Sequence, residues 1–143
     1  MKLIHALSAA AALALVSSTA FAAGDADAGA KVFNKCAACH KIGPNAKNAV
    51  GPELNGLAGR KTGEVEGYAY SDANKTSGLT WDEATFKDYI TSPQKKIPGT
   101  KMTFPGLPNE PDRDNIWAYI SQFKADGTKA GDAAPAAPAD APK

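Results

Sequence analysis

Cysteine, histidine and methionine are scarce in this chain: two of each in 143 residues. The four ligands of a structural zinc site are therefore hard to assemble. Charge of one sign is also lacking. The formal net charge is +1, which excludes the bulk basic character of a nucleic-acid binder. Across residues 41–79 apolar and polar residues never alternate over a strand-length run, so the pattern there points away from β-strands. No apolar run is long enough to span a membrane, because the one near the N-terminus is short and no stop-transfer pattern follows it.

That N-terminal run has another reading. Residues 1–22, MKLIHALSAAAALALVSSTAFA, carry Lys2, then an apolar stretch, then Ala20-Phe21-Ala22. This is the layout of a cleaved secretory signal, and it implies export to the periplasm. Cleavage removes Met1 and His5, leaving His40, Met102, Cys36 and Cys39 as the remaining histidine, methionine and cysteines. Residues 23–124 have the composition of one globular domain, whose ~100 residues bury only a modest core unless a bound group enlarges it. Residues 125–143 are rich in alanine and proline and lack aromatic and branched aliphatic residues. They read as a disordered tail.

Within the domain, Gly29, Val32, Phe33 and Cys36 recur at helical spacing, predicting a helix over 25–36 with glycine on its buried face. Glycine there is costly unless another backbone comes close. Residues 41–79 are broken by many glycines, a long irregular segment suited to wrapping a ligand. Thr80-x-x-Glu83 has the capping-box pattern and predicts a helix to about Thr91, ended by Ser92-Pro93. IPGTKMTFPGLP, 97–108, is a proline-stiffened loop. Pro111, with Asp112 and Asp114, opens a last helix whose apolar face holds Ile116, Trp117, Ile120 and Phe123. The fold class is all-α, with three main helices and long loops.

Both cysteines fall in CAACH, residues 36–40. Zinc would need four ligands, and only three candidates remain, packed into five positions. A thioredoxin-like disulfide would follow a strand, whereas the residues before Cys36 read as helix. A plain structural disulfide accounts for the cysteines but not for His40. Covalent haem attachment accounts for all three: two thiols add to the haem vinyl groups, and the adjacent histidine becomes an axial iron ligand. Met102 is the remaining soft donor for the other axial position, and His/Met is the pairing of electron-transfer haems.

The ordered set GDADAGAKVFNKCAACH, VGPELNGLAGRKTG, GYAYSDANKTSGLTWDE, IPGTKMTFPG and RDNIWAYISQF resembles class I c-type cytochromes. Most similar is the bacterial cytochrome c2 group, near relatives of mitochondrial cytochrome c. The resemblance implies one haem c, bound through Cys36 and Cys39, with His40 and Met102 on the iron. It implies that the Pro52 carbonyl orients His40, and that Arg60, Tyr70 and Trp81 hold the propionates. It also implies a polar network of Asn74 and Tyr89 near Met102, with Tyr89 placed to reach its sulfur, Thr100 reaching a propionate or that same network, and Phe104 shielding the haem edge. Gly29 and Phe33 meet Ile116 and Tyr119 where the terminal helices cross. Two positions depart from the pattern. Asn48 stands where mitochondrial relatives often have histidine, which alters a loop-bridging hydrogen bond, and Ala49 replaces a common lysine.

The implied function is a periplasmic one-electron carrier, monomeric and not an enzyme. It shuttles between a membrane redox complex of the respiratory or photosynthetic chain and an acceptor such as an oxidase or reaction centre. Lys35, Lys41, Lys95, Lys96 and Lys101 are expected to steer acidic partners in brief, salt-sensitive encounters, with no nucleic acid and no stable membrane insertion. A haem peroxidase or gas sensor needs Met102 displaced from the iron. A further rival is an electron-transfer domain tethered to one partner through its tail.

Overall fold

The computed structural model describes residues 23–132. The expected signal segment, 1–22, lies outside them. Among the described residues five helices follow in order: α1 Ala26–Phe33, α2 Asp72–Thr76, α3 Glu83–Thr91, α4 Pro93–Lys96 and α5 Glu110–Ile120. Among the described residues the extended pairings are two isolated bridges, Lys61 with Thr80 and Phe123 with Lys129. The architecture is thus all-α, with α1, α3 and α5 as the main helices.

Asp25 starts α1 by accepting from the backbone N–H groups of Asp27 and Ala28. Gly29, Val32 and Phe33 are buried on its inner face. The helix ends at Phe33, short of the expected Cys36. Tighter turns continue it, with Cys36 N–H donating to the Phe33 carbonyl at 2.8 Å and His40 N–H to the Cys36 carbonyl at 2.9 Å. The C-terminal partner is α5, whose Ile116 and Ile120 are fully buried.

These two helices cross at Gly29. A Cβ built there would lie 1.9 Å from the Asn115 carbonyl oxygen and 2.7 Å from the Tyr119 Cβ. Only a hydrogen side chain permits that approach, which explains a helix-weakening residue on a buried face. The Asn115 side chain also accepts from Asp25 N–H at 2.7 Å. Phe33 stacks tilted on Tyr119 with ring centroids 5.4 Å apart.

The start of α3 differs from its capping-box reading. Asp82, not Thr80, is the N-cap, and its carboxylate accepts from Thr85 N–H at 2.7 Å. Thr80 is instead committed to the bridge with Lys61, so the helix begins two residues later. Ser92-Pro93 does end α3, but Pro93 also begins the short α4, because its locked φ suits a first helical position. Neither α4 nor α2 is visible in the apolar periodicity, since each is about one turn long.

The chain does not leave the domain at Lys124. Residues 125–132 turn back: Lys124 N–H donates to Thr128, and Ala130 N–H to Gln122. The Lys129 ammonium lies 5.4 Å from the Phe123 ring centroid and 5.8 Å from that of Tyr119. The first part of the expected tail is therefore part of the fold, held by backbone pairing that needs no apolar side chains. The rest, 133–143, lies outside the described residues.

The core consists of Val32, Phe33, Leu57, Phe86, Ile90, Leu107, Ile116 and Ile120. Gly29→Ala is expected to force α1 away from α5 and to lower stability by about 1–3 kcal/mol. Denaturant titration of the haem-loaded protein measures it.

Candidate functional site

A cavity of about 380 Å³ opens inside this frame, with Cys36, Cys39, His40 and Met102 all in its wall. Leu54, Leu57, Phe86, Ile90, Ile116 and Ile120 make much of the remainder apolar. Such a space suits a large, flat, mainly apolar group with a few polar anchors.

The CAACH segment reaches the wall because α1 delivers it there in tight turns. Cys36 is half-buried and Cys39 exposed, and the two are not joined as a disulfide. Burial, with Cys39 nearby, pushes the Cys36 pKa up to about 11, so at neutral pH it is a protonated thiol. A thioredoxin-like nucleophile has its pKa lowered instead. Among the described residues no group of three or more His, Cys, Asp or Glu is placed to hold a metal ion.

His40 is held from two sides. Its Nδ1 donates to the Pro52 carbonyl oxygen at 2.7 Å, since a carbonyl can only accept. In the neutral ring that leaves the Nε2 lone pair available. Burial keeps the His40 pKa below the ordinary range, which favours this neutral form. Gly51 supports the ring from beside it. A Cβ at Gly51 would lie 2.4 Å from the imidazole Cε1, so no larger residue fits without moving the histidine.

Met102 is fixed by its loop and by α3. The Tyr89 hydroxyl donates to its Sδ at 3.2 Å, Met102 N–H donates to the Thr100 hydroxyl oxygen at 3.3 Å, and the Gln94 amide donates to its carbonyl at 3.3 Å. Asn74, Thr100 and Tyr89 are all buried. The Ser71 hydroxyl donates to the Asn74 side-chain carbonyl at 2.8 Å. Burial raises the pKa of Tyr89, so it is a neutral donor at physiological pH. The Trp81 ring meets Tyr89 edge-on at 4.9 Å.

Arg60 and Trp81 come together through the backbone: Trp81 N–H donates to the Arg60 carbonyl and Gly59 N–H to that of Trp81, both at 2.8 Å. Both residues line the cavity, as do Tyr70, Asn74, Thr100 and Phe104. Burial raises the pKa of Tyr70, which stays a phenol. The Arg60 Nε is buried without a hydrogen-bond partner. An unpartnered buried N–H calls for an acceptor, which a propionate oxygen would supply.

The five candidate partner-facing lysines are exposed, yet four are engaged. Lys35 pairs with Asp112 at 3.2 Å and Lys96 with Asp88 at 2.5 Å. Lys41 donates to the Ala37 carbonyl and Lys101 to that of Ala69, both at 2.8 Å. Lys95 has no such side-chain partner among the described residues. Sequence reading missed these couplings, and it also missed Gln94, Ser71 and Glu53, which bond to Met102, Asn74 and Arg60. No local pattern marks them, because each meets its partner through loop geometry. Asn48 does bridge loops, donating to the Glu66 carbonyl at 2.9 Å and accepting from Glu53 N–H at 3.0 Å.

The site fits a haem: an apolar slot, two thiols, an imidazole with a free nitrogen, a thioether, and a guanidinium whose buried Nε–H has no acceptor. No helix among the described residues is long and apolar enough to cross a membrane. The cytochrome c family model matches residues 26–124. Cytochrome c2 of Rhodoblastus acidophilus is 82% identical over 107 residues, covering 75% of this chain and 100% of the relative. Cytochrome c-554 of Methylosinus trichosporium is 59% identical over 123 residues, covering 86% and 93%. The structure of cytochrome cH from Methylobacterium extorquens aligns with a TM-score of 0.64 at 52% identity, over 68% of this chain and 97% of that one. With this cavity, these donors and these relatives, the chain belongs to the cytochrome c family, in the bacterial cytochrome c2, c-550 and c-554 group.

Proposed function

We propose that this chain is a periplasmic one-electron carrier whose haem is bound by Cys36 and Cys39 and ligated by His40 and Met102. When bound, the haem supplies an iron that changes between ferric and ferrous by one electron. The observation that carries the assignment is the pair of side-chain hydrogen bonds that holds the two donors in one apolar cavity. His40 Nδ1 is tied to Pro52, and Met102 Sδ receives the Tyr89 hydroxyl.

The chain's own residues do the rest. Pro52 holds the His40 tautomer that presents Nε2. Met102 contributes a thioether that favours ferrous iron and raises the potential. With His40 and Met102 both in the cavity wall and both available to hold the iron, peroxide or a gas would find no open site, which supports a carrier over a peroxidase or sensor. Arg60, Tyr70 and Trp81 receive the propionates, which would be costly to bury unpaired. Asn74 and Thr100 complete the polar network around Tyr89, and Phe104 covers the edge. The lysines give the exposed surface its positive character toward acidic partners, and weak contact lets a shuttle leave. The N-terminal segment, with its A-x-A site, supports export and cleavage after about Ala22. The composition of residues 133–143 supports a tail without a packed core.

The visible spectrum of the exported protein tests this reading. Sharp low-spin bands and the weak far-red band of sulfur-ligated ferric haem are expected. Met102→Ala is expected to abolish the far-red band and lower the potential by well over the ~59 mV of a tenfold change in the one-electron equilibrium. A far-red band that survives Met102→Ala would refute the assignment. Tyr89→Phe is expected to keep the band but lower the potential. The hydroxyl draws electron density from the sulfur, so its loss, worth about 1 kcal/mol, favours ferric iron roughly fivefold. Redox titration measures this. Lys95→Glu is expected to slow oxidation by isolated membranes severalfold at low salt, and Lys96→Glu less, because Asp88 already offsets Lys96. Equal rates and salt slopes for both variants and the parent would remove these lysines from the docking surface.

A further inference from the structure

Glu53 directly follows Pro52, the residue that holds His40, yet its side chain turns to Arg60. Three acceptors of the 53–55 segment engage the guanidinium. Arg60 Nη1 donates to the Asn55 carbonyl at 2.8 Å and meets the Glu53 carboxylate Oε1 at 3.5 Å. Nη2 donates to the Glu53 carbonyl at 3.3 Å. The remaining nitrogen, Nε, is the one left buried without a partner. The Glu53–Arg60 pair is shielded, with side chains 21% and 16% exposed, so solvent and salt screen it less than a surface pair.

Glu53 is itself held rigidly. Its other carboxylate oxygen accepts from Asn55 N–H at 2.7 Å, and its own N–H donates to Asn48 at 3.0 Å. Asn55 is clamped to Gly43 in turn, accepting from its N–H at 2.8 Å and donating to its carbonyl at 2.9 Å. Arg60 lines the haem cavity, while Glu53 is absent from that wall and lines a separate, more open cleft with Asn48 and Glu66. A carboxylate thus stands behind the guanidinium, away from the cavity.

We infer that Glu53 is the positioning residue for Arg60, and that its carboxylate lowers the carrier's reduction potential by offsetting the guanidinium charge at the cavity wall. This rests on the reading that Arg60 faces the haem propionates. A cation beside the haem favours the ferrous state, which carries one positive charge fewer. A carboxylate locked onto that cation withdraws part of the advantage.

Redox titration of the haem-loaded parent, Glu53→Gln, Arg60→Gln and the double variant tests the inference, with the far-red band confirming a native haem site in each. Glu53→Gln is expected to shift the equilibrium threefold to tenfold toward the reduced form, tenfold being about 59 mV for one electron. Glu53→Ala serves as a second variant with the same expected direction. Arg60→Gln is expected to shift the equilibrium the other way, and on that background the effect of Glu53→Gln is expected to fall by more than half. A shift for Arg60→Gln with none for either Glu53 variant overturns the inference and leaves the propionate reading standing. Equal Glu53→Gln shifts on both backgrounds overturn the route through Arg60. No shift for Arg60→Gln removes Arg60 from the propionates, and the inference falls with that reading.

Discussion

The close crossing of α1 and α5 at Gly29 is the constraint on which the rest of the molecule depends. Backbone packs on backbone there, with the Asn115 carbonyl occupying the space of a side chain. That contact joins the two ends of the domain. It carries the CAACH turns, which continue directly from α1, to the same cavity that Ile116 and Ile120 of α5 line. With little regular structure between Lys41 and Ser71, the intervening loops have few partners of their own. They are organised by this frame and by the cavity they wrap.

Inside that frame the reactive donors are oriented by groups that are not donors themselves. Pro52 offers its carbonyl oxygen to the His40 ring, and its neighbour Gly51 leaves room for the imidazole. Tyr89 projects from α3 and reaches the sulfur of a methionine thirteen residues later in a proline-stiffened loop. Burial keeps His40 neutral and Tyr89 protonated, the states in which each makes its observed bond. Low exposure and these hydrogen bonds leave the two donors little freedom to move, and a one-electron carrier benefits from such a stiff environment.

Electrostatics operates at two depths. Near the cavity, Arg60 is countered by Glu53 within a shielded pair. At the surface, Lys35 and Lys96 are paired with acids, and Lys41 and Lys101 are tied to carbonyls of the fold. Exposed ion pairs add little to stability, but they change how much of each charge a partner meets. A lysine count from sequence therefore overstates the charge at Lys35 and Lys96, which acids offset, while Lys41, Lys95 and Lys101 keep theirs.

CAACH, Met102 and the apolar spacing of the terminal helices were legible in residue order alone. They determine the cofactor chemistry, the all-α class and the need for a close approach at Gly29, because covalent attachment and helical periodicity are local properties. The ends of short elements were not legible. Thr80 lost its capping role to a bridge with Lys61, and Ala125 to Asp132 joined the fold through backbone pairing that composition does not register. Nor was the environment of Arg60, or the pairing of the lysines. Partners such as Lys35 and Asp112 are 77 residues apart, and Glu53 and Arg60 meet across an irregular loop with no repeating geometry. Long-range electrostatics depends on how loops without a period are laid against each other, and only the tertiary structure decides that.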